Sequence, residues 1–319
     1  MTRAAIALAA LLAVCGCGPR AVAVVPAAPV SPTAAADRLQ ADLAAIFTTP
    51  QFERSFWSVL VRRSDSPQNL YELNGAKLMM PGSAMKIVTA AAAADLLGWD
   101  YRFETRVVAS APIENGVVRG DLFVVGGGDP SISERADTPG TLRAIARQVR
   151  EAGITRLEGG VIGDDDLFDD RGFGAGWTLD NVPYGYSAAV SALEYNEGSV
   201  DLVIRAGEAA GEPVTIHTRP EGGGLQVESR LITVAESGTG TLTLRRQPGS
   251  SRLVVEGQIP AKAPPFVRTA SVDNPTLFFA SAFREALIAE GVPVAGDAID
   301  IDDFISKPDR AGGRTLVAH

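Results

Sequence analysis

The hydrophobic pattern along the first hundred residues predicts four elements. Leu39, Leu43 and Ile46 fall on one stripe of an amphipathic helix. Phe56 to Val61 and Leu70 to Leu73 read as two strands joined by a turn through Asp65-Ser66-Pro67-Gln68-Asn69. A second helix follows the Pro81-Gly82 turn and runs through Ile87, Val88, Ala90 to Ala94, Leu96 and Leu97, stopping at Gly98. That helix has no polar face, and helices that are apolar all round are buried.

The pattern changes after Gly98. Phe103 to Ala109 and Val117 to Val125 alternate in strand fashion across a Glu114-Asn115-Gly116 turn. Thr141 to Ala152 is helical, with Leu142, Ile145 and Val149 on one face and a stop at Gly153. A strand covers Gly159 to Gly163. From Ser199 to about Ile259 only short strand segments occur, split by Gly and Pro, which predicts a small all-β module. Asn274-Pro275 opens another helix ending at Gly291, and Pro293 to Ile301 is a last strand candidate.

The first residues are expected to be removed. Arg3 and the apolar run Ala4 to Val14 have the layout of an export signal, too short to span a bilayer. Val14-Cys15-Gly16-Cys17 then resembles a bacterial lipobox, with Cys17 the better acceptor because Gly16 precedes it. A lipid on Cys17 makes residues 18–35 a tether from membrane to domain; an ordinary cleaved signal is the alternative, and both readings export the chain to the periplasm or cell envelope. Both cysteines lie in this segment, so the body has no disulfide and no thiol nucleophile. The two histidines, His217 and His319, leave a Ser/His/Asp triad almost no base. A net charge of −9 with no basic patch argues against nucleic acid as a partner.

Chemistry is concentrated at Ser83-Ala84-Met85-Lys86, in the first turn of the apolar helix. An i, i+3 spacing puts both side chains on one face. The serine lies near the positive end of the helix dipole, where developing negative charge is stabilised. A lysine taken out of water favours the neutral amine, which can act as a base and turn a weak hydroxyl into a nucleophile. The spacing alone fits equally a serine that caps the helix and a lysine that snorkels outward. Gly126-Gly127-Gly128-Asp129-Pro130 fails as a dinucleotide loop, since Pro130 stands where a helix should start, and reads as a tight bend. The acidic run Asp164 to Asp170 lacks calcium-loop spacing and reads as a solvated loop. No metal and no cofactor are expected.

The order helix, two strands, then a helix opening with Ser-x-x-Lys is that of penicillin-recognising enzymes. With Pro81 to Lys86, Gly126 to Pro130, Gly163-Asp164-Asp165 with Phe168, Gly176-Trp177, Pro183-Tyr184 and Val190 to Leu193, the chain resembles the D-Ala-D-Ala carboxypeptidase/endopeptidase family. These are the class C low-molecular-mass penicillin-binding proteins (DacB-like), and the resemblance covers most of residues 35–305. It implies an α+β fold: a serine DD-peptidase/β-lactamase-like catalytic domain interrupted by two β-rich insertions. It implies Ser83 as nucleophile, Lys86 as general base, and Asp164 facing the side-chain amine of a peptidoglycan stem peptide. β-Lactams would be covalent inhibitors.

The expected boundaries are 1–17 for the signal, 18–35 for the tether, and 36–102 with 270–319 for the catalytic domain. The first insertion takes 103–198 with 258–269, and the second, all-β, takes 199–257. The family's Ser-x-Asn and Lys-Thr-Gly motifs do not occur: Ser271-Val272-Asp273-Asn274 has the wrong spacing, and Gly313-Arg314-Thr315-Leu316 differs. The chain is therefore expected to be the N-terminal portion of such an enzyme, with an incomplete catalytic domain, doubtful activity by itself, and protease-resistant structure only between about 103 and 265. Two other readings are open: a non-catalytic envelope lipoprotein that binds peptidoglycan or a partner, and a serine β-lactamase.

Overall fold

The structure, a computed structural model, describes residues 32–135, 141–221, 224–308 and 313–319. The signal segment, Cys17 and most of the expected tether lie outside them. The described residues form two compact units, one up to Trp99 and one from Asp100 to His319.

The first unit contains α1 (Pro32–Phe47), β1 (Val59–Arg62), β2 (Asn69–Leu73) and α2 (Met85–Leu97). α1 begins inside the expected tether, with Pro32 at its first position, where a missing N–H costs nothing. β1 and β2 form the expected antiparallel hairpin, with Val61 opposite Tyr71. Phe47 packs on Trp57 and Tyr71, with ring centroids 5.4 and 6.1 Å away, and pins α1 to the hairpin. α2 departs from expectation: none of its residues is buried, and Ile87 and Leu96 are 75% and 81% exposed. A helix apolar on every side needs cover on every side, and a two-stranded hairpin with one helix is too small to provide it.

The second unit opens with β3 (Arg106–Ala109), β4 (Ile113–Glu114), β5 (Val117–Val118) and β6 (Leu122–Val125). Then come α3 (Thr141–Glu151), β7 (Arg156–Leu157) and β8 (Val161–Asp164). The all-β stretch supplies β9 (Ser199–Arg205), β10 (Thr215–Arg219), β11 (Gln226–Val234), β12 (Thr241–Arg245), β13 (Arg252–Pro260) and β14 (Phe266–Ser271). Last come α4 (Pro275–Ala289), β15 (Ala298–Asp300) and β16 (Arg314–Ala318).

A five-stranded sheet, in the order β15-β8-β6-β3-β16, is the frame. Its strands are apolar on both faces: Val107, Val124 and Val161 join the main core, while Val108, Phe123 and Ile162 join a smaller cluster with Ile301. Sheets covered on both sides read as near-continuous apolar runs. α3 and α4 pack together, and α4 lies on β8 and β15 through fully buried Phe279 and Phe283.

Three expectations change. The Asn115-Gly116 turn, both residues at positive φ, closes only the short β4–β5 hairpin, while β3 pairs directly with β6. The limit at residue 257 falls inside β13, and β14 completes the β10-β9-β14 sheet beside β11-β13-β12. Residues 270–319, expected in the catalytic domain, supply two strands of the five-stranded sheet: β15 pairs with β8 and β16 with β3. Periodicity reveals a helix and a strand but not which sheet edge they complete.

Candidate active site

Pro81-Gly82 sets the entrance to α2. Gly82 takes φ +51°, a left-handed value that glycine adopts without steric cost, and Gly82 to Ala84 form a single 3-10 turn before Met85 starts the helix. Ser83 caps nothing; no side-chain hydrogen bond closes either helical end here. Instead the Lys86 Nζ donates to the Ser83 Oγ at 3.0 Å. The lysine amine thus lies back on the serine hydroxyl. Both side chains are exposed, so the expected burial of Lys86 is corrected along with that of α2.

The other motif residues converge inside the second unit. A Cβ on Gly126 would lie 2.2 Å from the Ala192 carbonyl oxygen, and one on Gly127 would lie 2.1 Å from that of Glu104. Gly128, at φ +78°, donates its N–H to the Ala192 carbonyl at 2.7 Å. The triple glycine is thus a close backbone approach with a bend at its end. The Gly126 N–H donates to the Asp164 carbonyl at 2.8 Å. The Asp165 carboxylate accepts from Ser191 Oγ at 3.0 Å and Thr276 Oγ1 at 2.6 Å.

Asp164 itself is fully buried at the end of β8, and its Oδ1 accepts the Asp166 N–H at 3.3 Å. The position that the resemblance assigns to the stem-peptide amine is therefore closed to solvent in this structure. β8 lies between β6 and β15, so its last side chain turns into the fold. The acidic run is accordingly not one solvated loop. Lys307 bonds to Asp166, and to Asp302 at 2.6 Å. Asp165, Asp300 and Asp302 bring carboxylate oxygens within 4.8 Å of one another, and each is already engaged with Ser191, Asn274 or Lys307.

The family model for D-Ala-D-Ala carboxypeptidase 3 (S13) matches residues 39–311. The chain belongs to this family. It is 35% identical over 265 residues to a D-alanyl-D-alanine carboxypeptidase of Actinomadura sp. (strain R39), covering 81% of this chain and 48% of that protein. It is 24% identical over 262 residues to the D-alanyl-D-alanine carboxypeptidase DacB of Haemophilus influenzae, covering 82% and 52%. The chain therefore spans about half the length of these relatives. Among solved structures it is similar to penicillin binding protein 4 (dacB) of H. influenzae, with a TM-score of 0.66 at 24% identity, covering 79% of this chain and 53% of that one. The α+β fold of the penicillin-recognising S13 family is thus present.

Proposed function

We propose that Ser83 and Lys86 are the nucleophile and general base of a serine-type D-alanyl-D-alanine carboxypeptidase/endopeptidase acting on peptidoglycan stem peptides. The observation that carries this reading is the 3.0 Å contact between Lys86 Nζ and Ser83 Oγ in a member of the S13 family. In its neutral form the Lys86 amine takes the Ser83 proton as Oγ attacks the carbonyl of the D-Ala-D-Ala bond. The Ser83 backbone N–H, at the start of α2, donates to the developing oxyanion. The proton passes to the leaving amine, D-alanine departs, and water hydrolyses the ester on Ser83. A β-lactam opens on the same oxygen and remains there; one matched H. influenzae structure is a complex with a novel β-lactam. The match from residue 39 to 311 favours this reading over a serine β-lactamase.

Fluorescent penicillin tests it. In a protein that also carries the family's Ser-x-Asn and Lys-Thr-Gly motifs, labelling is expected and is lost in both Ser83→Ala and Lys86→Ala. Labelling that persists in Ser83→Ala moves the nucleophile elsewhere. A wild-type chain that never labels leaves the non-catalytic, peptidoglycan-binding reading. The proposal includes export and a lipid anchor on Cys17, motivated by Val14-Cys15-Gly16-Cys17. Palmitate incorporation that survives Cys17→Ser would remove the anchor. No helix among the described residues is long and apolar enough to cross a membrane.

A further inference from the structure

The all-β part of the second unit holds a cavity of about 800 Å³. One wall is the outer face of the β11-β13-β12 sheet, and the other is the segment from Leu179 to Tyr184. Four arginines line it: Arg230, Arg245, Arg246 and Arg252. Strand register puts three of them together. On β13, Leu253 and Val255 point into the core, so Arg252, Val254 and Glu256 face outward. Arg230 stands opposite Glu256, and Arg245 opposite Val254.

Two carboxylates serve these three guanidinium groups. Glu228 accepts from Arg230 Nε and from Arg252 Nε, each at 2.7 Å, and Glu256 accepts from Arg245 Nε at 2.5 Å. Arg246 has no carboxylate partner. It is buried, with 7% of its surface exposed, and only its Nη2 is used, donating to Ser271 Oγ at 2.8 Å and to the Val182 carbonyl at 3.3 Å. Its Nε and Nη1 have no hydrogen-bond partner. A buried guanidinium with two unused donors is costly unless something supplies acceptors. Asp180 also lines the cavity, so the four arginines are largely balanced by acids, and Arg246 Nε and Nη1 are the donors still free for a ligand's acceptors.

The walls narrow the ligand further. Leu179, Pro183, Tyr184 and Pro248 give the cavity apolar surface beside its cations. Tyr184 stacks on Tyr186 with centroids 5.5 Å apart and planes 9° apart, and Tyr186 is 73% exposed. Flat aromatic surface next to guanidinium forks suits a molecule that alternates apolar faces with carboxylates. Glu228 and Glu256 show that the arginine spacing already accommodates carboxylates. We propose that this cavity binds a carboxylate-bearing part of peptidoglycan, a muropeptide with free carboxyl groups. The choice of ligand rests on the function proposed above.

Isothermal titration of the whole chain with N-acetylmuramoyl-L-alanyl-D-glutamic acid is the test, with the doubly amidated compound as control. Saturable binding is expected, weakened about tenfold for the amidated compound and for the double variant Arg230→Gln/Arg252→Gln, as for loss of one charged hydrogen-bonded contact. Both arginines are exposed, so an unchanged melting temperature will show that the variant is folded. Binding that is equal in the variant, or absent in the wild type, overturns the proposal. Binding of polyphosphate that the muropeptide cannot displace overturns the carboxylate assignment. Penicillin labelling of the same proteins reports on Ser83 alone, so the two readings fail separately.

Discussion

At the scale of single residues, the lone hydroxyl–amine contact of Ser83 and Lys86 is formed within one helical turn, so it needs no distant part of the fold. Other residues depend entirely on their surroundings. Glu194 is half-buried between buried Leu193 and Tyr195, and burial pushes its carboxyl above the usual range, opposed by the bond it accepts from the Ser191 N–H. Its folded value therefore exceeds its unfolded one. Stability tied to Glu194 is fullest when the group is protonated and falls as pH rises from the ordinary carboxylate range through the raised folded value. Glu194→Gln keeps an oxygen for the Ser191 N–H and removes the charge. Melting curves should show the variant gaining on the wild type as pH rises above the ordinary carboxylate range. Parallel curves above that range would mean that Glu194 pays no desolvation penalty.

At the scale of elements, α4 shows how a helix start is fixed by more than its own sequence. Asn274 accepts from the Leu277 N–H at 2.7 Å, the bond of an N-cap, and Pro275 follows at the first helical position. The remaining half of the Asn274 amide donates to Asp300 Oδ2 at 2.6 Å, at the junction of β15 and the turn after it. The cap thus ties the start of α4 to a sheet edge. Asn274→Ala should cost about 1–2 kcal/mol, at the upper end for lost caps because the part-buried Asp300 carboxylate also loses a donor. Urea unfolding measures it; a loss under a few tenths of a kcal/mol would show that the tie contributes nothing. α2 is the contrary case, an element with sound local signals and none of its residues buried.

At the scale of the molecule, stability should be uneven. The first unit rests on a two-stranded hairpin with an aromatic cluster, and α2 leaves Ile87, Val88 and Leu96 in water. Each Å² of apolar surface left exposed forgoes about 25 cal/mol. The second unit has a continuous core from Val107 to Val317. Limited proteolysis should first remove the part before about residue 100 and leave material that still includes β16, because β16 is paired with β3. This replaces the narrower span of about 103 to 265. Mass spectrometry of the resistant fragments decides: loss of β16 while β3 persists would contradict the five-stranded sheet.

The sequence determined what depends on neighbours along the chain. α1, the first hairpin, α2, α3 and α4 were legible from periodicity and stop signals, and Ser83 and Lys86 from an i, i+3 spacing that a single turn satisfies. The motifs at Gly126 to Gly128, Asp164-Asp165 and Ser191 to Leu193 were legible as a set, and the structure gives a packing reason for them, since backbones meet there too closely for any Cβ. Tertiary structure decided the rest. Whether α2 is covered, which sheet takes residues 270–319, and that Asp164 faces inward all turn on contacts between segments far apart in sequence. Arg246 belongs here as well. As one residue after a strand it carries no signal, and only the meeting of Val182, Ser271 and β12 buries it with donors to spare.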